Sequence, residues 1–259
     1  MRKCGVLLPV SAIPSQYGIG AFSREAYTFI DLLEEAGQSY WQILPLGPTG
    51  YGDSPYQSFS TFAGNPYYID LESLVQAGYL TEQDCEQYDF GDDDAYVDYE
   101  KIYLSRFKVL KKAFQNSQIE KDEAYQEFVE ANAYWLKDYA LYMAVKNAFG
   151  GKSWAEWDED IRIRKEEALK GYAEKYAEEV AFYQFQQYLF AKQWFALKAY
   201  ANQKKIEIIG DIPIYVAFDS SDTWANPELF QLDETLTPVA VAGCPPDAFS
   251  ATGQLWGNP

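Results

Sequence analysis

Apolar and polar positions divide the chain into three stretches, 1–80, 81–202 and 203–259. The first reads as strand, helix, strand and a long loop. Gly5 to Val10 is a short apolar run bounded by Pro14 and Gly18. Ser23 is placed to cap a helix with Glu25 in its first turn. Phe22, Ala26, Phe29, Ile30 and Leu33 follow at helical spacing, and Gly37 supplies a stop. A second apolar run is Tyr40-Trp41-Gln42-Ile43-Leu44. Neither apolar run alternates, which predicts strands buried on both faces of a parallel sheet. From Gly47 to Pro66 the chain turns to Gly, Pro, Ser and aromatics, with Asp53 its one charge. Loops of this kind after a strand end are where α/β proteins keep their sites.

The second stretch opens with Glu82, Asp84, Glu86, Asp89, Asp92, Asp93, Asp94, Asp98 and Glu100, unrelieved by any base. Their spacing lacks the alternation and terminal Glu of a calcium loop, so the run reads as solvated loop. Residues 101–202 are predicted mainly helical. Tyr103, Phe107, Leu110 and Phe114 make one stripe, and Phe128, Ala131, Trp135, Tyr139 and Tyr142 a second that ends at Gly150-Gly151. Tyr176, Val180, Tyr183, Phe190, Trp194 and Leu197 make a third. All three are expected to be core.

The third stretch begins with the most β-like run of the chain, Ile206 to Val216. Asp211 interrupts it and Pro213 marks where regular pairing ends. An acid at a parallel strand's end is costly to bury unless something binds or pairs it. Asp211 therefore reads either as a ligand contact or as an acid that caps a turn or pairs with a lysine. The last 40 or so residues form a second Gly/Pro-rich aromatic loop, through Gly243-Cys244-Pro245-Pro246-Asp247 to Trp256-Gly257-Asn258-Pro259.

Composition narrows the chemistry. Lys and Arg number 21 against 39 Asp and Glu, a net charge of −18. That argues against nucleic acid and against anionic membrane surfaces. The chain has no histidine, which removes Ser-His and Cys-His catalysis and His-ligated metals. Cys4, Cys85 and Cys244 share no CxxC spacing and read as thiols of a reducing cytoplasm. Arg2 and Lys3 before an apolar run imitate a signal peptide, but Pro9 and Ser11 break the run and no clean cleavage site follows. No uncharged apolar run approaches the ~18 residues a membrane span needs. Gly18-Ile19-Gly20 has Ser23 where a dinucleotide fingerprint needs glycine, Gly50-Tyr51-Gly52 lacks the Gly-Lys-Ser/Thr of a phosphate loop, and no glycine closes Gly52-Asp53-Ser54 into a nucleophile elbow. What remains is Asp, Gln, Ser and Asn beside Tyr and Trp on loops. Carboxylates and amides pair with sugar hydroxyls, and flat rings pack on the apolar faces of pyranoses.

Several runs then carry a resemblance: Gly5-Val6-Leu7-Leu8-Pro9, Gly37 through Pro48, Gly52-Asp53-Ser54-Pro55-Tyr56-Gln57-Ser58, Gly210-Asp211-Ile212-Pro213-Ile214-Tyr215-Val216, and Gly243 through Asp247 with Trp256 through Pro259. In order and content they resemble amylomaltases, the 4-α-glucanotransferases of glycoside hydrolase family 77. The resemblance implies an α/β fold: the first three strands of a TIM (β/α)8 barrel, with a large mainly helical insertion between strands 2 and 3. The segments would be the start of the barrel and sugar-site loop at 1–80, the helical insertion at 81–202, and strand 3 with a glucan-covering loop at 203–259.

It also implies transfer of α-1,4-glucan segments to the 4-hydroxyl of an acceptor glucose, with maltose, maltotriose and maltodextrins as partners and no cofactor. The mechanism would be retaining, its two carboxyl groups about 5–5.5 Å apart. Carried onto this chain, the implied substrate contacts are Ser54, Tyr56, Asp211, Pro245, Asp247, Gln254 and Trp256. Pro245 to Gly253 match a loop lying over the glucan, and Ala248 stands where many relatives carry tyrosine. The catalytic carboxylates of the family fall on strands after the Trp-Gly-Asn-Pro segment, so none is assigned here. The length of 259 residues suits one barrel of about 250, yet only three strand-like runs occur where a barrel needs eight. The expectation is an inactive N-terminal portion of a transferase. The alternatives are a non-catalytic glucan-binding module and a hydrolytic amylase, in which water rather than sugar intercepts the glycosyl-enzyme.

Overall fold

The computed structural model describes residues 2–50, 52–93 and 95–259. Tyr51 of the first loop and Asp94 of the acidic run lie outside the described residues. The chain forms a mixed α/β structure of two compact units, each assembled from three separate segments.

The first unit comprises Met1–Leu46, Gly64–Ala131 and Phe185–Ile212. Its centre is a parallel sheet of β1 (Gly5–Leu7), β2 (Tyr40–Gln42) and β3 (Glu207–Ile209), in that order. Val6, Trp41 and Ile208 are in register on one face, and Leu7, Gln42 and Ile209 on the other. Parallel neighbours need a crossover, and α1 (Arg24–Glu35) provides the first. Its Phe29 ring meets Trp41 edge-on at 5.3 Å, and the fully buried Trp41 indole donates to the Leu8 carbonyl at 2.8 Å. Gly5 permits the close pairing of β1 with β2, since a Cβ there would lie 2.4 Å from the Tyr40 carbonyl oxygen.

The strands are shorter than the apolar runs suggest. Prolines explain this: Pro9, Pro45 and Pro213 carry no N–H to extend a ladder, and Val10–Ala12 turns into a short 3-10 helix. Asp211 thus stands beyond β3 rather than within a strand. Burial on both faces is also corrected. Leu7 is 56% and Ile209 43% exposed, and Val6 on the Trp41 face is 37% exposed, so burial is confined to the centre of the sheet at Trp41 and does not extend over both faces.

At α1, Ser23 occupies the N-cap, but its hydroxyl donates to the Glu25 carboxylate at 2.6 Å and caps no backbone N–H. Gly37 ends the helix in the left-handed region at φ 67°, where its neighbour Gln38 donates back to the Leu33 carbonyl. Part of the acidic run is helical rather than loop. Thr81 and Asp84 form a reciprocal capping box on Glu82–Glu86, and the Asp98 carboxylate accepts the Lys101 N–H at the start of α2 (Tyr99–Ser117). These acids sit at helix N-termini, where exposed N–H groups favour negative charge. The first aromatic stripe is only partly core: Leu110 is buried in α2 while Tyr103 is 62% exposed.

The second unit comprises Gly47–Ala63, Asn132–Gln184 and Pro213–Pro259. Helix α3 (Ala133–Ala148) buries Leu141, Tyr142 and Val145 against Trp154, Trp157, Ile161 and Trp224. Of the second stripe, Tyr139 and Tyr142 are buried on this helix, but the stripe spans a helix break at Asn132, Phe128 and Trp135 are only half-buried and Ala131 is exposed, so it is core in part. The third stripe, apart from Tyr176 just before it, lies on the helix Ala177–Gln203: Tyr183 is buried in this unit, Phe190 and Leu197 in the first, and Val180 and Trp194 are half-buried.

Candidate functional site

Within the second unit the two low-charge loops come together. The first is held at its base by an antiparallel bridge between Thr49 and Ser58. It reverses through Gly52 and Asp53, both at positive φ. Burial raises the Asp53 carboxyl above its ordinary range, opposed by a 3.4 Å hydrogen bond from the Thr49 hydroxyl. The Ser54 hydroxyl accepts the Tyr56 N–H at 3.3 Å and the Ser54 carbonyl accepts the Gln57 N–H at 3.1 Å. That turn leaves the Tyr56 ring 45% exposed.

The second loop is a short two-stranded hairpin whose strands are joined through residues 245–253. Strand β4 (Gly243–Cys244) pairs with β5 (Gln254–Leu255), and Trp256 N–H to Ala242 and Ala242 N–H to Asn258 extend the ladder. Gln254 and Trp256 lie two residues apart and so point to the same side. The Trp256 indole donates to the Gln254 amide oxygen at 3.0 Å, which sets that amide's orientation. Within the connection of the hairpin, Asp247 shapes the loop: its carboxylate accepts the Phe249 and Ser250 N–H groups, both at 2.8 Å. Pro245 and Asp247 are exposed, and Phe249 at the tip is 96% exposed.

A third segment, 213–222, meets both loops and is firmly anchored. Asp219 accepts from Lys146 Nζ at 2.5 Å, from the Tyr142 hydroxyl at 2.7 Å and from the Trp154 N–H at 3.3 Å. Asp222 accepts the Thr61 N–H and hydroxyl at 2.9 and 2.8 Å, and Ser221 N–H reaches the Phe59 carbonyl at 2.8 Å. This base presents Tyr215, whose ring lies 6.0 Å from that of Trp256 at 42°. Gln57 joins the loops: its amide nitrogen is 3.3 Å from both the Trp256 carbonyl and Asn258 Oδ1, while the Asn258 amide donates to the Val216 carbonyl at 2.8 Å.

Ser54, Tyr56, Pro245, Asp247, Gln254 and Trp256 thus belong to one unit. Asp211 belongs to the other, exposed two residues past β3, with its Oδ1 accepting the Ile212 N–H at 2.8 Å. Gln57, Tyr215 and Asn258 carry no assignment from sequence reasoning, although all three stand inside the motif runs. The surface offers half-exposed rings, amides and hydroxyls, and the two acids of these loops are engaged in loop geometry. Such a surface suits a neutral polyhydroxy ligand. Among the described residues no cluster of three or more acids and thiols could hold a metal ion, and no helix is long and apolar enough to cross a membrane.

The family model described as 4-alpha-glucanotransferase matches residues 8–259. The chain belongs to the 4-alpha-glucanotransferase family. It is 54% identical to the 4-alpha-glucanotransferase of Clostridium butyricum over 96% of its length, covering 52% of that protein. It is 52% identical to that of Streptococcus pneumoniae over its whole length, again covering 52% of the relative. The structure superimposes on amylomaltase from Streptococcus agalactiae in complex with acarbose with a TM-score of 0.96 and 47% identity, over all of this chain and 53% of that one. The chain therefore spans about half the length of these 4-alpha-glucanotransferases.

Proposed function

We propose that this chain supplies one part of the glucan-binding wall of a 4-α-glucanotransferase and none of its catalytic carboxylates. The whole enzyme transfers segments of α-1,4-glucan to the 4-hydroxyl of an acceptor glucose or maltodextrin by a retaining double displacement. A carboxylate forms the glycosyl-enzyme, and a carboxylic acid protonates the leaving oxygen and later deprotonates the acceptor. Both groups come from sequence that this chain does not contain. The three parallel strands are then the first of a (β/α)8 barrel, with the open Leu7–Gln42–Ile209 face turned to its interior. The enzyme is cytoplasmic.

The observation that carries this reading is the convergence of Ser54, Tyr56, Gln254 and Trp256 in one unit, built from two loops that hydrogen bonds through Gln57 and Asn258 and the Tyr215–Trp256 ring contact hold in place. Within the wall, Ser54 and Gln254 offer hydrogen bonds to sugar hydroxyls, and Tyr56 and Trp256 offer rings to pyranose faces. Asp211 contributes a carboxylate that accepts from hydroxyls. Its place among the sugar contacts rests on the motif Gly210-Asp211-Ile212-Pro213.

The test is an assay of this chain on maltotriose, with glucose release as the readout. No release above a protein-free control is expected. Transfer products from this chain alone would overturn the assignment of catalysis to other sequence. Binding without transfer would remain compatible with a glucan-binding module. Reading the coding region beyond codon 259 separates the two, because a transferase continues and a module stops.

A further inference from the structure

Gln57 is bonded to a buried partner, and the direction of every bond in the set is determined. The Gln57 amide nitrogen meets the Trp256 carbonyl and Asn258 Oδ1, and the Asn258 amide nitrogen meets the Val216 carbonyl. Both ends of this relay are backbone carbonyls, which only accept. The Trp256 end therefore requires the nitrogen of Gln57, and the Val216 end requires the nitrogen of Asn258. Asn258 Oδ1 is left to receive the second Gln57 N–H. Reversing either amide sets oxygen against oxygen or N–H against N–H. Asn258 is only 3% exposed, so water cannot readily compensate a reversed or missing bond.

The relay ties down three segments at the points where they carry rings. Gln57 follows Tyr56, Val216 follows Tyr215, and Trp256 supplies its own carbonyl. The Tyr215 and Trp256 rings are 6.0 Å apart and each is partly open to solvent. A stacking wall gains affinity when its rings are fixed before the ligand arrives, because less freedom is lost on binding.

We propose that Gln57 is a positioning residue: through Asn258 and the Trp256 carbonyl it sets the spacing of the Tyr215–Trp256 ring pair, and so the place where a glucose ring of the substrate stacks. This rests on the reading of the surface as a glucan site, and the test keeps the two separable. The chain is labelled with 5-fluorotryptophan, and the Trp256 fluorine resonance is assigned with Trp256→Phe. Gln57→Met keeps the side chain's length and removes its donors; Gln57→Glu keeps the shape and turns an oxygen toward two acceptors, the Trp256 carbonyl and Asn258 Oδ1.

In both variants the Trp256 resonance should shift or split, while those of the buried Trp41, Trp154, Trp157 and Trp224 stay in place. An unmoved Trp256 resonance in both variants overturns the proposal. So does a general displacement that includes the buried tryptophans in both, since that reports a merely structural role. Maltoheptaose is then titrated against each protein. Gln57→Met should need about tenfold more sugar for the same change at Trp256. An equal requirement overturns the link from ring position to binding. If maltoheptaose leaves the wild-type Trp256 resonance unmoved, the glucan reading fails, while the displacement caused by Gln57→Met still decides the positioning role.

Discussion

Lys146 and Asp219 meet at 2.5 Å inside the second unit, with the lysine side chain 9% exposed and the carboxylate 34%. Tyr142 and the Trp154 N–H complete the shell around Asp219. The pair sits directly before the Ser220–Asp222 turn that stitches the first loop in place. Breaking a fully buried pair costs about 3–5 kcal/mol, and exposed pairs are worth about 1 or less. With a third of Asp219 facing water, Lys146→Met should cost about 2 kcal/mol. Urea denaturation followed by far-ultraviolet circular dichroism reads this as a lower midpoint at unchanged slope. An unchanged midpoint would show that the pair contributes nothing to the unit.

Buried phenols give the chain an alkaline limit. Burial, with Tyr183 adding to it, pushes the Tyr139 hydroxyl above its ordinary value, and burial beside Asp219 does the same to Tyr142. In the unfolded chain both titrate near 10. Below about pH 10 neither state is ionised and the contribution to stability is fully present. Above it the unfolded state loses protons that the folded state keeps, so stability falls by about 1.4 kcal/mol per pH unit for each such phenol. Tyr139→Phe should remove one such increment. Urea midpoints at about pH 9 and about pH 11 compare the two proteins. Equal losses in both would sink the assignment.

The features legible in the sequence are those with local causes. Trp41 and Gly37 announce a buried strand centre and a helix stop, and each is found in that role. The short strands were legible too, since Pro9, Pro45 and Pro213 have no N–H to give, but the apolar runs around them overstate pairing. The two loops stand out by their lack of charge and their aromatics. The relay that joins them has no such signature: Gln57 reaches partners 199 and 201 positions away, and neither periodicity nor composition encodes that separation. Exposed Leu7 and Ile209 were hidden for the opposite reason, because an apolar run does not reveal whether its cover lies in the same chain.

Asp211 separates binding from folding. Its side chain is exposed at the surface and its carboxylate accepts the adjacent Ile212 N–H, and surface substitutions usually change stability by no more than about 0.5 kcal/mol, so Asp211→Ala should lower the melting temperature of this chain by no more than a few degrees. If Asp211 accepts from a sugar hydroxyl as proposed, Asp211→Ala in the longer enzyme should lower kcat/KM by at least about tenfold. Kinetics on maltotriose check the second half. Unchanged kinetics would remove Asp211 from the sugar site.

Leu7 and Ile209 predict how the isolated chain behaves in solution. They lie at 56% and 43% exposure in β1 and β3, which among the described residues are the two edges of the sheet. Edge strands present unpaired N–H and C=O groups, and an open apolar face beside them favours association with a second copy. The sedimentation coefficient of the chain should therefore rise with concentration. Ile209→Lys places a charge on one edge, the device natural sheets use against edge pairing, and should return the chain to a monomer over the same range. The substitution touches no buried position, so its effect on the fold should stay within about 0.5 kcal/mol. A wild-type chain that is monomeric at every concentration would show that the exposed Leu7 and Ile209 edges do not drive association.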